Sequence, residues 1–142
     1  MFKFRLQKIL DHFEGEELAK KVEVAKALGV IQKTQSEIQA LEAENLSLLA
    51  EQKEKAANGF SWLQMILQRI DWNLGSIDTL KAREEEERIV LLRKQRELSH
   101  VSVRRKALQS LREKRETAFR LKNSQRAQKQ LDEVYQILKR EK

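Results

Sequence analysis

The sequence predicts an all-α protein: a long antiparallel two-helix coiled-coil hairpin with a short apolar helical segment at the loop end. Three observations lead to this fold class. The 142 residues include no proline, only four glycines and 36% charged residues, a composition typical of long helices and coiled coils. Apolar residues recur at heptad spacing along two long stretches. A short stretch between them, SWLQMILQRIDWNL, is far more apolar than the rest of the chain.

The first predicted helix spans about residues 3–57. Steps of alternately four and three residues from Leu6 follow a mostly apolar seam, which is the pattern of a heptad repeat. The seam positions are Leu6, Leu10, Phe13, Glu17, Lys20, Val24, Ala27, Ile31, Thr34, Ile38, Leu41, Asn45, Leu48 and Gln52. Polar seam residues lower stability but fix the register of a coiled coil, and Asn45 is the best candidate for that role.

The connection to the second half is predicted at Asn58 and Gly59, since these residue types commonly end helices. A short apolar helix is then expected at about 62–74, interrupted by Gly75-Ser76, and a long helix at about 77–140. The seam of the long helix is patchier, and its frame slips near Leu108 and Leu111. Its members are Ile77, Leu80, Leu91, Leu98, Val101, Leu108, Leu111, Ala118, Leu121, Leu131, Val134, Tyr135 and Leu138.

The two long helices are expected to fold back on one another as a single coiled-coil domain over residues 1–142. If the fold-back is centred in the apolar segment, antiparallel pairing joins residues whose numbers sum to roughly 137 to 141. Leu6 and Leu10 would then meet Leu131, Val134 and Tyr135. Leu48 would meet the region of Leu91. The apolar N-terminal stretch MFKFRLQKILDHF would be covered by the equally apolar C-terminal turns.

Little in the sequence is suited to catalysis. Cysteine is absent, and His12 and His100 each stand alone in a helical stretch, where a surface role is expected. The run Glu84-Glu85-Glu86-Glu87 places four carboxylates around a helix rather than converging on a metal ion. No Gly-rich phosphate-binding loop occurs, so the chain is not expected to be an ATPase. We therefore expect no enzymatic activity and no cofactor or metal.

Hydropathy and charge restrict the partners. No apolar run has the length of a secretory leader or of a membrane span, so a cytoplasmic protein is expected. Residues 99–142 carry thirteen Lys and Arg against five Asp and Glu, whereas the rest of the chain is nearly neutral. A basic helical segment favours an acidic partner. Specific nucleic-acid binding is disfavoured because Phe119 and Tyr135, at or near the seam, offer no stacking platform, although a solvated, functionally neutral face stays an alternative.

The opening FKFRLQKILD resembles the N-terminal signature of the FliJ family, a small component of the flagellar type III protein export apparatus. Phe4, Arg5, Leu6 and Leu10 carry the match, and the likeness extends over the whole chain in length, helix order and charge. The resemblance implies a non-enzymatic coiled-coil stalk that inserts into the hexameric export ATPase and stimulates it, escorts export chaperones and contacts the cytoplasmic domain of the export gate. It also implies a cytoplasmic protein, peripherally associated with the inner membrane at the flagellar base.

Candidate contact residues follow from this resemblance together with the charge and apolar patterns. The candidates for the ATPase contact are basic residues of the second long helix, Arg104, Arg105, Arg112, Arg115, Arg120, Lys122, Arg126 and Lys129. The candidates for the export-gate contact are apolar residues near the loop, Phe60, Trp62, Trp72 and Leu80. A small local core is the alternative for the loop end, in which Trp62, Ile66 and Ile70 pack on Leu48, Leu49 and Ile77.

Two other classes of function are left open. A generic dimerising coiled-coil scaffold would pair two chains along the same seams, whereas the hairpin hypothesis predicts a monomer when the protein is free. A basic nucleic-acid-binding helical protein would form a specific complex that survives physiological salt.

Overall fold

A computed structural model describes residues 1–54 and 59–141 of the chain. Two α-helices, α1 (Gln7–Glu54) and α2 (Phe60–Arg140), account for nearly all of these residues and pack against each other. The predicted all-α helical hairpin is therefore confirmed. By its packing the chain divides into two compact units, one formed by residues 1–19 with 99–142 and the other by residues 20–98. The expectation of a single domain stays a prediction.

The connection between the helices falls where the sequence predicts it. Gly59 has a φ angle of 104°, a left-handed conformation that a residue with a Cβ rarely adopts. Its carbonyl oxygen accepts a hydrogen bond from the backbone N–H of Leu63 at 3.3 Å, which opens α2. The predicted signal at Asn58 and the expected last turn of the first helix lie outside the described residues.

The expected interruption at Gly75-Ser76 is wrong, because α2 is one continuous helix from Phe60 to Arg140. Within this turn the Thr79 hydroxyl donates a hydrogen bond to the carbonyl oxygen of Gly75 at 3.1 Å. A glycine inside a helix costs about 1 kcal/mol relative to alanine. Asn73 and Ile77, one on each side of this pair, are both buried in the seam, and that burial holds the turn helical.

The predicted seam of α1 is confirmed at every position from Leu6 to Gln52, since each of these side chains is buried or half-buried. Leu10, which is 2% exposed, lies deepest in the unit of residues 1–19 and 99–142. Ile31 and Ile38 are the buried apolar residues of α1 in the other unit. The heptad pattern alone therefore identified which face of α1 meets α2.

The seam of α2 keeps one heptad frame, so the expected slip near Leu108 and Leu111 is wrong. Every residue at this spacing except Arg115 is buried or half-buried from Ile66 as far as Phe119. Tracing only the apolar residues of α2 does not reveal this frame, because many of the frame's positions are polar. The members are Ile66, Ile70, Asn73, Ile77, Leu80, Glu84, Glu87, Leu91, Lys94, Leu98, Val101, Arg105, Leu108, Arg112 and Phe119.

The register of the hairpin differs from the predicted one by about three heptads. In residues 20–98, Asn73 bonds to Asn45 and Glu97 pairs with Lys20, so partner numbers sum to 118 and 117. The prediction of sums near 137 to 141 is wrong because the turn lies beside Gly59 rather than within the apolar segment. That segment belongs to α2 and packs along the end of α1, so Leu48 does not meet the region of Leu91.

The same register brings different residues to the N-terminus. The rings of Phe2 and Phe119 lie 5.6 Å apart between centroids, and Phe4 is buried nearby. Every residue from 120 to 141 is exposed. The N-terminal stretch is therefore covered by the Phe119 region of α2, and the prediction that Leu131, Val134 and Tyr135 cover it is wrong.

Candidate protein-binding surfaces

Four of the eight basic candidates are engaged within the protein. Arg105 donates a hydrogen bond to the nearly buried carboxylate of Glu17 at 2.6 Å, and Arg120 pairs with Glu116 at 3.0 Å on its own helix. The Arg115 guanidinium lies over the ring of Phe4, and the half-buried Arg112 lies beside the N-terminal stretch. These contacts give the four side chains a role in holding the N-terminal stretch on α2, or in bracing α2 itself.

The other four candidates face solvent. Arg104, Lys122, Arg126 and Lys129 are exposed and make no ion pair with any residue that the structure describes. Lys122 and Arg126 continue the heptad frame of α2 beyond Phe119, within about 60° of its direction around the helix at 3.6 residues per turn. The seam of α2 therefore passes directly into a basic, solvated face. These charges are available to an acidic surface without breaking an internal contact.

The apolar residues near the C-terminal end of α2 form a separate surface. Leu131, Val134, Tyr135 and Leu138 have the spacing i, i+3, i+4 and i+7, so they lie along one face of the helix; we call them the C-terminal stripe. They are 53–67% exposed. The stripe is centred about 110° around the helix from Phe119. It is therefore not a continuation of the hairpin seam.

The loop end presents a third surface, in the unit of residues 20–98. Phe60 and Trp72 are exposed, Trp72 by 59%, whereas Trp62 and Leu80 are half-buried. Trp62 and Trp72 line one open depression together with Met65 and neighbouring residues. Trp72 and Leu80 line a second. All four gate-contact candidates thus lie along the same part of α2, and each lines a surface depression except Phe60.

The local-core alternative for the loop end describes only some of these residues. Ile66 and Ile77 are buried against α1, as that alternative expects, and Ile70 is half-buried. Leu49, however, is nearly half exposed. The loop end therefore combines a small core with an outward apolar surface that includes Trp72.

Charged groups around Trp72 hold it in place. The Arg69 guanidinium lies 4.8 Å from the Trp72 ring centroid, which is a cation–π geometry. Arg69 Nε also donates a hydrogen bond to Glu44 at 2.8 Å, and this bond lowers the pKa of the Glu44 carboxyl below its usual value. These two contacts connect Glu44 of α1 through Arg69 to the exposed indole of Trp72. The indole is therefore presented on an ordered surface.

The sequence-based reasoning missed one buried residue that fixes the geometry of these surfaces. Asn73 is 0% exposed and faces Asn45 across the seam. The sequence did contain a signal for it. Asn73 lies seven residues after Ile66 and seven before Leu80, which is the heptad spacing of a seam position. Asn45 was identified as a register residue from α1 alone, and its partner on α2 shows how that register is set.

Neither a metal-binding group nor a membrane-spanning helix is found among the described residues. Among the described residues, no three His, Asp or Glu side chains gather in a group that would hold a metal ion. Neither helix, within the described ranges, has an apolar stretch long enough to span a bilayer. The features that stand out are a basic face and two exposed apolar surfaces.

The described residues define a helical hairpin of the coiled-coil class. The model of the family described as flagellar FliJ protein matches residues 2–142, essentially the whole chain. The chain therefore belongs to the FliJ family, whose members are non-enzymatic components related to flagellar protein export. No curated protein and no solved structure matches the chain.

Proposed function

We propose that this protein is the coiled-coil stalk of a flagellar type III export apparatus, acting in the cytoplasm at the flagellar base. A single copy inserts into the ring of the hexameric export ATPase and stimulates it. Membership of the FliJ family carries this proposal. The exposed basic face beyond Phe119 supports it, because cationic side chains without internal partners suit an acidic ring interior.

The ATPase contact is assigned first to Arg104, Lys122, Arg126 and Lys129. They are the candidates that are exposed and make neither an ion pair nor a ring contact within the described part of the chain, so binding through them requires no rearrangement. Arg105, Arg112, Arg115 and Arg120 belong to the same proposal in a supporting role, since they fix the N-terminal stretch and the helix that presents the basic face.

Charge reversal tests the ATPase contact. The variant R104E/K122E/R126E/K129E should lose stimulation of the purified export ATPase while its circular dichroism spectrum stays helical. A matched control, K26E/K33E/K81E/R93E, changes net charge equally at exposed sites in residues 20–98 and should stimulate normally. Equal stimulation by both variants would show that the basic face is not the contact.

We further propose that the loop-end surface binds the cytoplasmic domain of the export gate. Phe60, Trp62, Trp72 and Leu80 are its candidate contacts. Aromatic anchors dominate the energetics of protein interfaces, and exposed contiguous apolar patches commonly mark binding sites. Trp72 combines high exposure with an orientation fixed by Arg69, which suits a preorganised anchor.

Alanine substitution tests the gate contact. Trp72→Ala should weaken binding to the gate's cytoplasmic domain by about 2 kcal/mol or more, as expected for an aromatic hot spot. Ile89→Ala, another exposed apolar position on α2, serves as the control and should bind normally. Helicity and ATPase stimulation should be retained in both variants. A gate affinity unchanged in Trp72→Ala would remove this residue from the interface.

Escort of export chaperones and peripheral association with the inner membrane complete the proposal. Membership of the FliJ family is the support for both. Pull-down of the chain with purified export chaperones, and co-sedimentation with membranes that contain the export gate, are the corresponding measurements. Equal recovery with membranes that lack the export gate would assign membrane association to the lipid instead.

A further inference from the structure

The C-terminal stripe is an amphipathic helix face without a partner in the described chain. Leu131, Val134, Tyr135 and Leu138 are all more than half exposed, and no residue from 120 to 141 is buried. Most helices in proteins are stabilised by packing of such a face rather than by intrinsic propensity. A helix end that exposes an apolar face about two turns long is therefore a candidate interface.

The seam-forming part of α1 is not the missing partner. The heptad frame of α2 that α1 and the preceding N-terminal stretch cover runs through Phe119. Its continuation on α2 is Lys122, Arg126, Lys129 and Glu133. Another helix packed along that line would meet these charges and leave the stripe, about 110° away, uncovered. The partner of the stripe must approach from a different side.

We propose that the C-terminal stripe pairs with the same stripe of a second copy, antiparallel and centred on Tyr135. In this arrangement Leu131 of each copy packs near Leu138 of the other, and the two Tyr135 rings meet at the two-fold axis. The interface is isologous, so it closes on itself as a dimer and does not propagate.

Charge complementarity favours a second copy of the stripe, in antiparallel orientation, as the binding partner. Asp132 and Lys139 lie along one edge of the stripe, seven residues apart, and both are exposed. Neither makes an ion pair within the described residues; Asp132 only accepts a hydrogen bond from Gln128 at 3.5 Å. Antiparallel pairing centred on Tyr135 puts Asp132 of each copy beside Lys139 of the other, which gives two equivalent ion pairs. Parallel pairing would instead put the shared edge of the two copies on opposite sides of the interface, so that no Asp132 would lie beside a Lys139.

The size of the stripe limits the strength of this pairing. Four apolar side chains per copy cover much less than the 1,200 Å² or so that stable protein interfaces bury. The dimer is therefore weak and reversible, and at low protein concentration the chain is a monomer. The proposed single-copy action in the ATPase ring is compatible with such a dimer, and neither depends on the other.

Charge exchange at two positions tests both the dimer and its orientation. The mass of the full chain in solution, measured by sedimentation equilibrium, should rise toward that of a dimer as protein approaches about 1 mM. D132K and K139D should each raise the dissociation constant about tenfold, since each replaces two ion pairs with two repulsive contacts. D132K/K139D restores opposite charges across the interface and should recover the wild-type dissociation constant.

Cysteine cross-linking gives a second readout, because the natural chain has no cysteine. Val134→Cys lies next to the proposed two-fold axis and should form a disulfide between copies under mild oxidation. Ser124→Cys is the control: in the antiparallel pair the two copies of residue 124 lie about 33 Å apart and should not cross-link. Equal cross-linking of both would indicate a parallel pair and overturn the proposed geometry.

Two further results would overturn the proposal. A wild-type chain that stays monomeric over the whole concentration range leaves the stripe to a different partner. Failure of D132K/K139D to recover the affinity lost in the single variants would show that Asp132 and Lys139 do not face each other across the interface.

Discussion

Asn73 Nδ2 donates a hydrogen bond to Asn45 Oδ1 at 2.8 Å, and this contact joins the two most polar buried positions of residues 20–98. This hydrogen bond forms in one register only, because any shift separates the Asn73 amide N–H from the Asn45 oxygen that accepts it. The pair therefore fixes how α1 and α2 align in this part of the hairpin.

Substitution of this pair should show a strong asymmetry between single and double variants. Asn45→Leu leaves the Asn73 amide buried without its partner and should lower the free energy of unfolding by about 1–3 kcal/mol. N45L/N73L replaces both amides with apolar groups and should restore or exceed the original stability, measured by urea unfolding. Equal losses in the single and double variants would contradict the assigned contact.

Arg105 should contribute measurably to the stability of the unit formed by residues 1–19 and 99–142. Its hydrogen bond to the nearly buried Glu17 carboxylate is 2.6 Å long. Removing the guanidinium in Arg105→Ala should cost about 1–3 kcal/mol, because a buried carboxylate then loses a charged donor. Arg104→Ala, one residue earlier but exposed and without an ion pair in the described chain, is the control and should have almost no effect.

Deletion of residues 121–142 should leave the stability of the hairpin almost unchanged. Every described residue in that range is exposed, so its removal uncovers no core. By contrast, Phe119→Ala removes a ring that packs 5.6 Å from Phe2 and should cost about 1–3 kcal/mol. Thermal unfolding of the two variants distinguishes the observed register from the one predicted from sequence. The predicted register would make the deletion strongly destabilising and the substitution only weakly destabilising.

Acidification should lower the stability of the hairpin in residues 20–98. The pKa of Glu84 is held below its usual value chiefly by the hydrogen bond from Arg88, and that of Glu44 by the bond from Arg69. A pKa lowered on folding stabilises the protein above the unfolded value, about 4.3 for glutamate. This stabilisation is lost as the pH falls through the lower, folded value.

The measurement is the urea midpoint at pH 7 and at about pH 3.5, below the usual glutamate pKa. The wild-type chain should lose stability between these conditions. E44Q/E84Q cannot titrate at either position, so its midpoint should change less. An equal change in both chains would assign the acid sensitivity to other carboxylates.

Local sequence patterns determined the class of fold and the buried face of α1. The heptad repeat in α1 identified all of its seam positions, because helix periodicity alone places those residues on one side. Gly59 marked the connection, since a left-handed backbone conformation there favours a residue without a Cβ. The FKFRLQKILD signature indicated the family that the whole-chain match then showed.

The register and the division between core and surface required the tertiary structure. Seven-residue periodicity is satisfied equally by alignments that differ by whole heptads, so it does not select among them. Specific polar pairs such as Asn45 with Asn73 select one alignment. A sequence pattern based on apolar residues overlooks such pairs. Once the register is set, the polar continuation of the α2 seam beyond Phe119 leaves Leu131, Val134 and Tyr135 outside the hairpin. Their exposure follows from which residues of α1 and α2 pair with each other. The spacing of apolar residues along one helix carries no information about that pairing.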